Sequence, residues 1–197
     1  MKPLKKQKRL LSSSNVINAI VLAVILAITF NPSAKALLLR GLIHTGLFSP
    51  APAKASVNKA TGLQRMPDIT LKNDKGIHSI ASMRGKVIVL NLWATWCPPC
   101  IAEMPSIQGL YTKMANHKDV IFVLLDADSD LEKAKTFMSK RKFTLPVYIS
   151  LSNLPKSVFS GSIPTTLIID RSGNIVFKHT GFANYDNKKM IDFINSL

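Results

Sequence analysis

The chain predicts an α/β fold, a mixed central β-sheet with helices on both faces, preceded by one N-terminal transmembrane helix. Three observations carry this expectation. The continuous apolar run Val87-Ile88-Val89-Leu90-Asn91-Leu92-Trp93 reads as a strand covered on both faces. Between residues 66 and 197, strand-like runs alternate with longer segments whose apolar residues recur every three or four positions. Residues 10–30 form an uncharged stretch, apolar from Val16 onward, behind a basic N-terminus.

The elements follow in order. Lys2, Lys5, Lys6, Lys8 and Arg9 make residues 1–9 a basic, cytoplasmic N-terminus. The 10–30 stretch is long enough for the ~20 residues a bilayer-spanning helix needs. An uncleaved anchor is the favoured reading, and Ala34-Lys35-Ala36 keeps a cleaved signal peptide open. Residues 31–65 are a juxtamembrane segment and linker: apolar Leu37 to Phe48 suits a membrane-surface helix, and Ser49 to Ser56 is small, polar and proline-bearing. Within the domain at 66–197, Asp68 to Lys72 alternates as a strand and Asn73-Asp74-Lys75-Gly76 is a turn. After Val87 to Trp93 come a helix over 98–116, a strand over 120–125, a charged helix over 131–142 and a strand over 145–149. Thr165 to Ile169 and Ile175 to Lys178 flank the hairpin signal Asp170-Arg171-Ser172-Gly173-Asn174, and a helix over 185–197 closes the chain.

The formal charge of +15 suggests nucleic acid until it is divided. Residues 1–65 hold 10 of the 26 Lys and Arg and none of the 11 acids. The domain has no basic stripe interleaved with aromatics, so a nucleic-acid partner is not expected.

The two cysteines stand together in Trp96-Cys97-Pro98-Pro99-Cys100, where the Val87–Trp93 strand turns into a helix. A thiol at a helix N-terminus meets unpaired N–H groups and the positive end of the macrodipole. That setting lowers a cysteine pKa from ~8.5 into roughly the 3.5–7.5 range, and the thiolate is the nucleophile. The second thiol can then close an intramolecular disulfide. A structural disulfide or half a zinc site is the plainer alternative. Zinc needs four ligands, there is no third cysteine, and His44, His78, His117 and His179 lack ligand spacing. Neither a metal nor a cofactor is expected. Asp126-Ala127-Asp128-Ser129-Asp130 mimics a calcium loop but carries Leu131 where glycine is required and Phe137 where the closing glutamate belongs. It reads as a solvated loop opening a helix, and Lys140-Arg141-Lys142 as a solvated helix end.

The run Asn91 to Cys100, with Glu103 and Pro105 following and Ile163-Pro164-Thr165-Thr166 downstream, resembles the thioredoxin fold, and more narrowly the membrane-anchored TlpA/ResA-like thiol-disulfide oxidoreductases. The resemblance covers Met66 to Leu197, a thioredoxin-like domain. It implies a single-pass protein of the inner (cytoplasmic) membrane with its catalytic domain on the periplasmic, extra-cytoplasmic side. It further implies reduction of disulfides in client proteins, apocytochromes c among them, and re-reduction by a transmembrane thiol partner.

On this resemblance Cys97 is the nucleophile and the more exposed thiol, Cys100 resolves, and the two form the redox disulfide. Pro164 has a cis peptide bond and faces the cysteines, and the Ile163 backbone pairs with an extended client segment. Trp96, Pro98 and Pro99 face the client, whereas Trp93 packs inside. Pro98 and Pro99 remove two early helix donors, which is expected to raise the Cys97 pKa. The buried acid that many thioredoxins carry in the preceding strand is replaced here by Asn91, which cannot exchange a proton. Glu103, one turn beyond Cys100, is expected to be partly buried with a raised pKa and to exchange the Cys100 proton. Pro105 should kink the helix. Two other functions stay open at this level: a disulfide-forming oxidase or isomerase, and a copper-binding thiol chaperone.

Overall fold

The computed structural model describes residues 13–31, 34–36, 41 and 64–197. The basic residues 1–9, the start of the 10–30 stretch, most of the 37–48 segment and the 49–56 linker lie outside the described residues. The apolar stretch forms helix α1 (Ser13–Phe30). Val16, Ile17, Ile20, Val21, Leu22, Val24, Ile25, Leu26 and Phe30 are all exposed on it. Among the described residues no helix is long and apolar enough to cross a membrane.

The domain is built on β1 (Thr70–Asn73), β2 (Gly76–Ser79), β3 (Val87–Trp93), β4 (Val120–Asp126), β5 (Val147–Ser150), β6 (Thr165–Ile169) and β7 (Ile175–Thr180). They form one seven-stranded sheet in the order β2-β1-β5-β4-β3-β6-β7. β3, β4 and β5 run parallel, whereas β6 lies antiparallel to β3, β7 to β6, and β1 to both β2 and β5. The central strand β3 is buried along its whole length, as its unbroken apolar run requires.

The helices are α2 (Pro98–Lys113), α3 (Leu131–Lys140) and α4 (Lys188–Asn195). Met104, Ile107 and Leu110 of α2, Ala134 and Met138 of α3, and Met190 and Ile194 of α4 share one core layer with Val89, Trp93 and Leu124. The expectation of helices on both faces is therefore amended. The crossovers β3-α2-β4 and β4-α3-β5 step the same way across the sheet, and right-handed crossovers then put both helices on the same face. The other face carries Leu90, Leu92, Val123 and Leu167, covered by the 3-10 turn Ile80–Met83 and by Leu154, Val158 and Phe159.

Other differences are local. β2 goes beyond the expected elements: Asn73 and Gly76 close a hairpin whose tight turn puts Gly76 at φ +124°. The helix expected over 131–142 stops at Lys140, and Lys142 takes a left-handed φ of 59°. Pro105 lies inside α2, which runs through it to Lys113.

Candidate active site

The site begins where β3 ends. The Trp93 carbonyl accepts the Ala127 amide (2.8 Å) from the β4 side, and the Ala94 carbonyl accepts the Cys97 amide (3.2 Å), which turns the chain out of the sheet. Cys97 is the N-cap of α2, with Pro98 and Pro99 at its first two positions. Because neither proline has an N–H, the first amide available is that of Cys100, and it donates to Cys97 Sγ at 3.3 Å. The two sulfurs are joined as a disulfide, with Cα atoms 5.3 Å apart. Cys97 is 3 % exposed and Cys100 1 %. Cys97 is thus the more exposed of the pair, as expected, although both sulfurs pack into the apolar layer beneath α2.

The tryptophans divide as expected. Trp93 is buried and tilts against Phe137, ring centroids 5.4 Å apart. Trp96 is 56 % exposed and donates its indole N–H to the Asp128 carboxylate, 2.8 Å to Oδ2 and 3.0 Å to Oδ1. Sequence reasoning missed this pairing, because nothing in the local pattern links positions 32 residues apart. The calcium-like loop otherwise serves itself: Asp126 accepts the Asp130 amide (2.9 Å) and Asp130 caps α3 by accepting the Lys133 amide (3.0 Å).

Pro164 has a cis peptide bond with Ile163. It is buried and opens β6, whose Thr165 pairs with Leu92, so the turn lies at the same end of the sheet as the cysteines. Ile163 is half-buried and packs against the apolar layer that contains both cysteines. The Pro164 carbonyl accepts the Gly181 amide at 2.9 Å, which ties this turn to the β7–α4 loop.

Glu103 is fully buried, deeper than the partial burial expected. The Asn91 amide donates to its Oε1 at 2.8 Å and the Ala183 backbone amide to its Oε2 at 3.1 Å. Asn91 also donates to Thr166 Oγ1 at 2.9 Å. Burial drives the Glu103 pKa from 4.5 up to about 8, against the two hydrogen bonds, which favour the charged form. Tyr185, buried beside it, has its hydroxyl pushed up by burial and by the Glu103 charge. Asp126, at the end of β4, is also raised, chiefly by burial. The structure therefore gathers Cys97, Cys100, Glu103, Asn91, Trp96, Ile163 and Pro164 at one end of β3 and β6.

The Redoxin family model matches residues 62–192. The chain is 33% identical over 120 residues to the thioredoxin-like protein YneN of Bacillus subtilis (strain 168), 60% of this chain and 71% of that protein. It is 29% identical to the thiol-disulfide oxidoreductase ResA of Geobacillus kaustophilus, over 87% of each. A solved structure from Bacteroides vulgatus, assigned to the thiol-disulfide oxidoreductases, superimposes with a TM-score of 0.58 at 28% identity. That match covers 71% of this chain and 99% of the other. With a C-x-x-C disulfide capping the helix that follows its central strand, the chain belongs to the Redoxin family and is a thiol-disulfide oxidoreductase built on the thioredoxin fold.

Proposed function

We propose that this protein is a ResA-like, membrane-tethered reductant of disulfides in extra-cytoplasmic client proteins, apocytochromes c among them. One observation carries the reading: the Cys97–Cys100 disulfide sits at the start of α2, one turn from a fully buried carboxyl. In the reduced form the Cys97 thiolate attacks a client disulfide, forming the Cys97–client bond and releasing one client sulfur, which takes up a proton. The Cys100 sulfur then attacks Cys97 Sγ, breaks the mixed disulfide and frees the second client thiol. Glu103, with its pKa near 8, lies close to the ~8.5 of an ordinary thiol, so passing the Cys100 proton to it costs little. Ile163 presents its backbone to an extended client strand, and Trp96 with Pro98 and Pro99 forms the docking rim. A transmembrane thiol partner returns the two electrons.

The tether is residues 10–30, supported by the exposed apolar residues along α1 and by the five positive charges before it. Equilibrating Cys97 and Cys100 against glutathione buffers tests the direction of electron flow. A potential near that of thioredoxin, about −270 mV, is expected, and one near −120 mV refutes the reductant assignment in favour of an oxidase.

A further inference from the structure

Six positions beyond Phe30, Ala36 is 5 % exposed although it lies far upstream of the folded domain. Residues 34–36 are helical, and the Ala34 and Lys35 amides both donate to the Asn31 carbonyl, at 3.1 and 3.2 Å. Ala36 is buried in a small apolar cluster with Ile101 and Ala102 of α2, bordered by Phe137 of α3 and Phe182 of the β7–α4 loop. Ile101 directly follows Cys100, and Phe182 follows Gly181, whose amide holds the Pro164 carbonyl. The cluster thus borders both halves of the active site. Alanine suits this contact, because its single methyl lets one helical turn approach another closely, while the neighbouring Lys35 stays exposed.

We propose that the segment immediately after the apolar helix docks on the active-site helix through Ala36, so that the Cys97–Cys100 pair is held at the membrane surface rather than swinging on a free tether. The proposal rests on the reading of residues 10–30 as an anchor. Six residues span at most about 20 Å even when fully extended, and the helical turn at 34–36 shortens that reach. With Phe30 at the edge of the bilayer, Ile101 and the adjoining disulfide lie within that distance of the lipid. Such a mount favours client disulfides presented at the membrane surface, and it places Cys97 within reach of a membrane-embedded thiol donor.

Photo-crosslinking on the full chain in phosphatidylethanolamine–phosphatidylglycerol vesicles tests this. Benzoylphenylalanine replaces exposed Lys35, and alkaline carbonate extraction is run on the same sample. Docking predicts an adduct to the peptide carrying Ile101 and Ala102, in protein that stays with the membrane. Ala36→Asp should lower the adduct yield about tenfold or more, because an unpaired carboxylate cannot be seated in this apolar contact without a large desolvation cost. No adduct to α2 in membrane-retained protein overturns the docking and leaves the anchor standing. An adduct that Ala36→Asp does not weaken overturns the role of Ala36. Release into the carbonate supernatant overturns the anchor reading, and the membrane-surface placement with it.

Discussion

Glu103 is held between two opposing effects of unequal size. Full burial favours the neutral carboxylic acid, while the amides of Asn91 and Ala183 favour the carboxylate. Burial wins, and the pKa settles near 8, where the group can accept a thiol proton and give it back within a narrow pH range. Glu103→Gln removes that exchange but keeps the shape. In a Cys97→Ser background, the alkylation rate of Cys100 should show two coupled inflections when Glu103 is present, one of them near pH 8, and only the thiol's own inflection in Glu103→Gln. An identical pH profile in both proteins would show that Glu103 only fills space. Cys100→Ser tests the order of attack. It should stall clients as mixed disulfides on Cys97, seen as reducible high-mass bands, whereas Cys97→Ser should trap none. Trp96 gains a fixed orientation from Asp128. On the proposed docking role of the indole, Asp128→Ala should raise KM for a protein client several-fold while leaving the rate with a small disulfide unchanged, and an unchanged KM would count against that role.

The N-terminus of α2 shows how an element tunes a residue. An ordinary helix start offers its early amides to a capping side chain, and here Pro98 and Pro99 remove two of them, leaving Cys100 N–H as the donor to Cys97 Sγ. A Cys97 thiolate thereby loses stabilisation, so Pro98→Gly and Pro99→Thr should each lower the Cys97 pKa, read by thiolate absorbance near 240 nm. An unchanged or higher pKa would count against this account. At this scale much was legible in sequence. The strand Val87–Trp93, the strand Thr165–Ile169 and the hairpin around Gly173 stand at the expected positions, because their apolar patterns and turn residues are local. The hairpin strand β2 was not legible, since Gly76-Ile77-His78-Ser79 carries no clear alternation and is held by cross-strand bonds to Thr70–Asn73. Nor was the face chosen by α3, which depends on crossover handedness and strand order rather than on its own residues. The Trp96–Asp128 pairing and the deep burial of Glu103 likewise come from tertiary packing, which no spacing rule reports.

At the scale of the whole molecule, a carboxyl kept neutral inside the core must leave a mark on stability. Glu103 titrates near 8 in the folded state and near 4.5 when unfolded, so between those values the folded protein holds a proton that the unfolded chain has released. Stability therefore falls as pH rises through this window, by roughly 1 kcal/mol per pH unit for a single group. Asp126, also raised by burial, acts in the same direction near the lower end. His179 acts against them: burial lowers its folded pKa below 6.5, so its contribution improves as pH rises toward that value. The unfolded histidine is half protonated at pH 6.5 and largely neutral a unit higher, so its contribution fades over that unit while the opposing one of Glu103 continues. The oxidised protein isolates the effect, because its cysteines do not titrate. Urea unfolding of the oxidised protein should give a free energy that declines from pH 7 to 8 in the wild type and does not decline in Glu103→Gln. A flat wild-type curve would mean that Glu103 is already ionised at neutral pH, and it could then no longer give up a proton when Cys100 is regenerated as a thiol.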